Sequence, residues 1–194
     1  MNSKDNMPVS TEDILDQERG LTRKLHGIEK FLVPTIAFCW SLFQLSIASW
    51  LILDAFFIRA IHLAFALAIV FLSTPFFKKK RFGIKFLSEK NKIPHIDYFL
   101  AGLACFCALY VVIDYIGITT RYGLPISRDI IVGIALIVLL FDATRRAIGP
   151  TLPIIATLFC LYAFFGAYMP DILAFKGVSL SRFIGQITMS TEGI

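Results

Sequence analysis

The side chains able to do chemistry in this chain are few, and they stand far apart. The three histidines, His26, His62 and His95, fall in three separate segments. The four cysteines, Cys39, Cys105, Cys107 and Cys160, all lie in apolar stretches. Cys105 and Cys107 are two positions apart, which on a helix turns their side chains about 200° from one another. Together they cannot ligate one ion, and the cysteines read as small buried hydrophobes. Asp97 and Asp114 are 17 residues apart, or about 25 Å of helix, too far for a catalytic carboxylate pair. No zinc-spaced His/Cys set, nucleophile–base pair or glycine-rich phosphate loop occurs at usable spacing. The expectation is therefore a protein that is not an enzyme and holds no cofactor or metal, with a small integral-membrane enzyme as the less favoured alternative.

Four residues remain as functional or structural candidates: His62, Asp114, Arg145 and Arg146. A histidine inside an apolar span is a functional candidate by default, although His62 stands one turn after Arg59, near a span end where it reaches water. Asp114 falls slightly inside the far rim of its span, with Arg121 or Arg128 within reach as a partner. Arg145 and Arg146 directly precede the run Ala147–Pro170, which carries no charged residue or histidine. Gln44 is the one strongly hydrogen-bonding side chain deep in its apolar stretch. It reads as half of a helix–helix hydrogen bond worth about 1 kcal/mol, ahead of a substrate contact. Asp97 reads as a solvated or N-terminal helix acid.

The elements that carry these residues are membrane helices. At 57% hydrophobic and 17% charged the chain falls below the soluble norm of about a quarter charged, and its apolar residues form long blocks. The spacing predicts five spans at about 31–53, 60–77, 96–118, 128–146 and 147–170. The fourth is the least regular: its apolar run Ile130–Phe141 covers only about 18 Å. It crosses if the helix continues through Asp142–Arg146 with the arginines snorkelling into headgroups, and otherwise is half of a re-entrant pair; crossing is favoured. Ser127 reads as its cap. Polar residues 1–30 contain no secretory signal pattern and suggest a weak surface helix from Thr11 to Lys30. Residues 171–194 form a far-side segment in which Leu180, Phe183, Ile184 and Ile187 make one apolar helix face, opposite Arg182 and Gln186. The fold class is all-α integral membrane, with an interfacial amphipathic helix at each end.

The formal net charge of +5 is a topology signal rather than a nucleic-acid footprint. Seven of the 19 basic residues lie between Lys78 and Lys92, in a single inter-helix loop beside the bilayer. With the N-terminus inside, the inner segments hold five, seven and two basic residues, fourteen in all, against five outside (Arg59, Arg121, Arg128, Lys176 and Arg182). That asymmetry supports five crossings, N-in and C-out.

Four stretches carry a family resemblance. LLFDATRRAIGPTLPIIATLFCLYAFFG (Leu139–Gly166) and LAFKGVSLSRFIGQITMSTEGI (Leu173–Ile194) resemble the fused membrane subunits of tripartite ATP-independent periplasmic (TRAP) transporters, above all those paired with TAXI-type binding proteins. RAIHLAF (Arg59–Phe65) and IPHIDYFLA (Ile93–Ala101) are similar to the same family, so the resemblance extends over about residues 30–194. It implies uptake of organic acids, carboxylates, across the bacterial inner (cytoplasmic) membrane. A periplasmic TAXI-type substrate-binding protein would deliver the ligand, and a coupling ion, commonly Na+, would drive an elevator-like movement. Fused members would continue beyond Thr191–Ile194 into many further helices, where most ion and substrate residues of the family would lie, so none is assigned here. The expected role is the membrane scaffold of such a carrier, working with a large membrane subunit or a C-terminal continuation. The rival is a non-transporting membrane adaptor or assembly protein.

Overall fold

A computed structural model describes residues 27, 29–76, 93–121, 124–170, 172 and 174–190. These form helices α1 (Glu29–Ser49), α2 (Ala55–Ser73), α3 (His95–Ile113), α4 (Tyr115–Thr120), α5 (Ser127–Ala147), α6 (Thr151–Phe165) and α7 (Leu180–Thr188), with a 3-10 turn at Gly166–Tyr168 closing α6. Most of the surface helix expected over 11–30, the basic loop 78–92 and residues 191–194 lie outside the described residues; Glu29 and Lys30 already belong to α1.

Among the described residues four helices are long and apolar enough to cross a membrane: α1, α2, α3, and α6 together with its 3-10 turn. The centre of the bundle is α2 against α3, with α5 packed on both. Small residues let the two central backbones approach closely. Ala60, Ala64 and Ala68 recur every fourth residue on α2, facing Ala101, Ala104 and Ala108 on α3, and all six are buried. Small side chains at such a seam are what packing without a hydrophobic driving force requires. Leu67, Phe71, Leu72, Leu136, Leu139 and Ala143 fill the rest of the main core. By contrast α1 and α6 bury no residue completely. They lie on the outside and present Phe38, Leu45, Leu158 and Phe159 outward.

The helix ends account for where the expected spans shift. Asp54 caps α2, its Oδ1 accepting from the Phe56 amide at 3.0 Å; α2 therefore begins at Ala55, five residues before the expected start. His62 becomes the eighth residue of α2, two turns in rather than at a span end. The expected span 96–118 is broken at Asp114, whose φ of −103° and ψ of 30° end α3 and let α4 set off separately. The fourth segment is a continuous 21-residue helix through Arg145 and Arg146. The Asp142–Arg146 stretch is thus helix, and the turn comes later, at Gly149 with φ +123°, a value that glycine adopts without steric cost.

After the 3-10 turn the chain doubles back along α6: Phe175 donates its amide to the Gly166 carbonyl at 3.1 Å and Val178 to that of Ala163 at 3.0 Å. Ser179 caps α7. This helix is amphipathic, but it leans on the bundle: Ile184 and Thr188 are buried against Gly133 of α5, where an added Cβ would stand 2.4 Å from Ile184 Cγ2.

Candidate functional site

Among the described residues, side chain–side chain hydrogen bonds and ion pairs gather into three groups: one at each end of the α3–α5 pair and one between α1 and α2.

At the end where α3 begins and α5 finishes, Arg146 Nη1 bonds Asp97 Oδ1 at 2.8 Å, and their side chains are 0% and 1% exposed. Its Nε bonds Asp142 Oδ2 at 2.8 Å, and Arg145 Nη2 holds the other Asp142 oxygen at 2.6 Å. The Arg146 guanidinium also lies 4.9 Å from the Phe71 ring centroid and 4.7 Å from that of Phe76. Planar guanidinium groups stack on such rings. Two carboxylates thus meet two guanidiniums. Position favours both signs, since Asp97 is in the first turn of α3 and the arginines are in the last turn of α5, matching the helix dipoles. Within this group Arg146 Nη2 is buried without an acceptor.

This corrects two expectations. Asp97 is the N-terminal acid of α3, as one reading had it, but it is a buried ion-pair partner and not solvated. Arg146 does not snorkel into headgroups; i, i+4 spacing from Asp142 draws it along its own helix, and Asp97 completes its coordination. Glu29 joins the same end, its Oε2 accepting from the Ile93 amide at 3.1 Å and tying the start of α1 to the approach to α3.

At the opposite end Asp114 Oδ2 receives Arg128 Nη2 at 2.6 Å and Arg121 Nη2 at 2.8 Å. Asp114 takes both of the arginines named as possible partners. The Arg121 hydrogen bond, ahead of the coulombic attraction of Arg128, holds the Asp114 carboxyl below its ordinary range, and Asp114 in turn raises Arg121. Asp129, buried, accepts from Tyr110 Oη at 2.5 Å on Oδ1 and from the Ile126 amide at 3.1 Å on Oδ2. That second bond caps α5, so the cap is Asp129 reaching back rather than Ser127. Neither Tyr110 nor Asp129 stands out in the sequence as a candidate. A usable signal existed in Asp129, an acid three residues after Ile126 at a helix start, which is capping-box spacing; Tyr110 had none.

The third group joins α1 to α2. His62 Nδ1 lies 2.5 Å from Gln44 Nε2 and 3.4 Å from Trp40 Nε1, and the Trp40 and His62 rings meet edge to face at 4.7 Å. An indole nitrogen only donates, so Nδ1 accepts and the ring proton sits on Nε2. Gln44 thus makes a helix–helix hydrogen bond, and the residue it bonds is His62. One contact cannot hold an ion, and among the described residues no group of three or more His, Cys, Asp or Glu is placed to bind a metal.

Comparison with family models, curated proteins and solved structures returned no match for this chain.

Proposed function

We propose that the chain is the membrane scaffold portion of a TRAP-type secondary transporter that imports organic acids delivered by a periplasmic TAXI-type binding protein, driven by an ion gradient. In this reading five helices cross the bacterial inner membrane, N-in and C-out, with α5 as the crossing that is not apolar enough to qualify by composition. Its 21 residues extend about 31 Å, and its charges fall in its first turn and its last two turns, toward the ends where a crossing helix keeps them.

The observation that carries the proposal is the distribution of charge along the bundle. Ion pairs close both ends of α3 and α5 (Asp97–Arg146 and Asp114–Arg128), while the main core is Ala, Leu, Ile, Phe and Cys; the polar group set deeper, His62 with Gln44 and Trp40, is a hydrogen-bonded contact between α1 and α2. A static support needs that arrangement; an ion or substrate path needs polar groups near the bilayer centre. Coupling-ion and substrate residues then belong to the large membrane subunit or a C-terminal continuation. His62, Asp114, Arg145 and Arg146 serve assembly here rather than transport.

The test is reconstitution into liposomes with the binding protein, with and without the large membrane partner, followed by gradient-driven carboxylate uptake. Uptake is expected only with the partner. Robust uptake by this chain alone overturns the scaffold reading, and no uptake from the complete assembly overturns the transport reading.

A further inference from the structure

The outer helices α1 and α6 differ in what they show to lipid. Around Leu158 and Phe159 the outward face of α6 is apolar, and Thr157 donates to its own Pro153 carbonyl. On α1, Thr35, Ser41, Ser46 and Ser49 likewise donate to carbonyls four residues back. The contact of Trp40 and Gln44 with His62 is not closed in this way. Both donors converge on His62 Nδ1, so among the described residues the His62 Nε2–H has no acceptor and Gln44 Oε1 has no donor. His62 is exposed, and Gln44 Oε1 is not shut in by its own chain. Hydrocarbon offers neither group a partner.

We infer that this face seats a second copy of the chain, His62 Nε2 of each copy donating to Gln44 Oε1 of the other across a two-fold axis along the membrane normal. The inference goes beyond the transport reading and does not depend on it.

The first support is self-complementarity. A two-fold contact needs a surface that is its own complement, residue i meeting j and j meeting i. One spare donor beside one spare acceptor is such a surface. The second is depth. Two copies inserted the same way round are related by a two-fold axis along the membrane normal, which keeps every atom at its own depth. Gln44 Nε2 and His62 Nδ1 are 2.5 Å apart, so the two side chains share one depth and both bonds can close together. The third is clearance. Ala37, Ser41, Gln44 and Ala48 follow one another at steps of four, three and four residues, which places them on one face of α1. Ser41 and Ala48 are exposed, and side chains this small let a facing helix approach closely. Phe38 and Leu45, each 64% exposed, flank them and would cover the rim of the contact.

The experiment measures Förster transfer between full chains carrying donor or acceptor dyes at the N-terminus, in phosphatidylcholine liposomes over a series of lipid dilutions. Transfer that follows a dimer isotherm is expected. Ser41→Phe fills the clearance and leaves the Gln44–His62 contact in place, so it should weaken dimerisation about tenfold at an unchanged melting temperature. His62→Leu and Gln44→Leu should each weaken it too, although both also remove the bond between α1 and α2. Mixing those two variants separates the effects: the mixed dimer regains one bond between copies, His62 of one to Gln44 of the other, while neither variant can make any with itself. Tighter association in the mixture than in either variant alone is therefore expected. A chain that stays monomeric at every density, a dimer indifferent to Ser41→Phe, or a mixture no tighter than its components overturns the interface. If the chain alone is monomeric and Ser41→Phe instead blocks its assembly with a different membrane protein, a foreign helix is the occupant and the second copy is likewise overturned. Dimerisation of a chain that supports no uptake in the complete assembly leaves the interface standing and removes only the transport reading.

Discussion

The two ends of the α3–α5 pair solve the same electrostatic problem in opposite ways. At one end a single arginine, Arg146, is withdrawn from solvent entirely and bound by Asp97 from the facing helix and Asp142 from its own. Among the described residues Asp97 and Asp142 meet Arg145 and Arg146 here, and aromatic rings close over the Arg146 guanidinium. At the other end two arginines, Arg121 and Arg128, share Asp114 and Asp129; Arg128 is 56% exposed and Arg121 27%, and a cleft remains beside them. The closed end fixes α3 against α5, because a buried charge has only one acceptable arrangement. The open end leaves its guanidiniums partly in solvent, where ion pairs are screened and contribute less.

If the closed end is a clamp, breaking it should produce the largest loss in the molecule. Asp97→Ala strands Arg146 in the core with Asp142 as its only carboxylate. Removal of one partner of a buried pair costs about 3–5 kcal/mol, and thermal unfolding in lipid nanodiscs reads that loss directly. The companion experiment is Asp97→Leu with Arg146→Met, which removes both charges and leaves Asp142 neutralised by Arg145 at 2.6 Å. The double variant should be more stable than either single one. If both singles are as stable as the parent, the closed end is not a clamp and the contrast with the open end fails.

A smaller loss should come from the seam that fastens α7 beside the open end. Gly133→Ala places a methyl group 2.4 Å from Ile184 Cγ2 and 2.8 Å from Thr188 Oγ1, contacts that something must yield. Overpacking of this kind costs about 1–3 kcal/mol. The expected outcome is a lowered melting temperature together with faster proteolysis around residues 180–190, and unchanged protection of α3 and α5 near Arg146. Combining Gly133→Ala with Ile184→Ala should cost less than the sum of the two. If protection is lost equally at both ends, the bundle responds as one unit and the comparison must be withdrawn.

How much of this was legible in the sequence depends on the physics of each residue. The long apolar blocks expose the membrane helices because lipid demands them, whatever the neighbours. Helix ends were less legible because they depend on local bonds: Asp54 extends α2 backwards, and the backbone of Asp114 breaks a run that hydropathy reads as one span. Asp114 was recognisable together with its partners, since Arg121 and Arg128 are near in sequence. Asp97 and Arg146 were not, because their contact joins positions 49 residues apart and hydropathy carries no information on which helices are neighbours. His62 and Gln44 were each visible as polar residues in apolar runs, but their pairing needed the packing of α1 on α2. The cleft was invisible for the same reason: it exists only once α7 folds back onto α5.

The finest distinction between the ends concerns acid. Arg121 and Arg128 hold the Asp114 carboxyl below its ordinary range, which for a free aspartate centres near about 3.9. A carboxyl whose folded value is depressed binds fewer protons when folded than when unfolded, so its contribution is complete above the unfolded value. That contribution is lost as pH falls through the folded value. Stability at the open end should therefore be flat from neutrality to about pH 5 and decline below about pH 4. Other acids titrate in the same interval, so the quantity to measure is the melting temperature of the parent minus that of Asp114→Asn between pH 3 and 7. This difference should be positive near neutrality, shrink toward zero at the acid limit, and be smaller throughout in 1 M salt, because Arg128 is exposed to screening. A difference that grows on acidification would reverse the sign of the linkage and show that Asp114 is stabilised in its protonated form, with its arginine partners turned away.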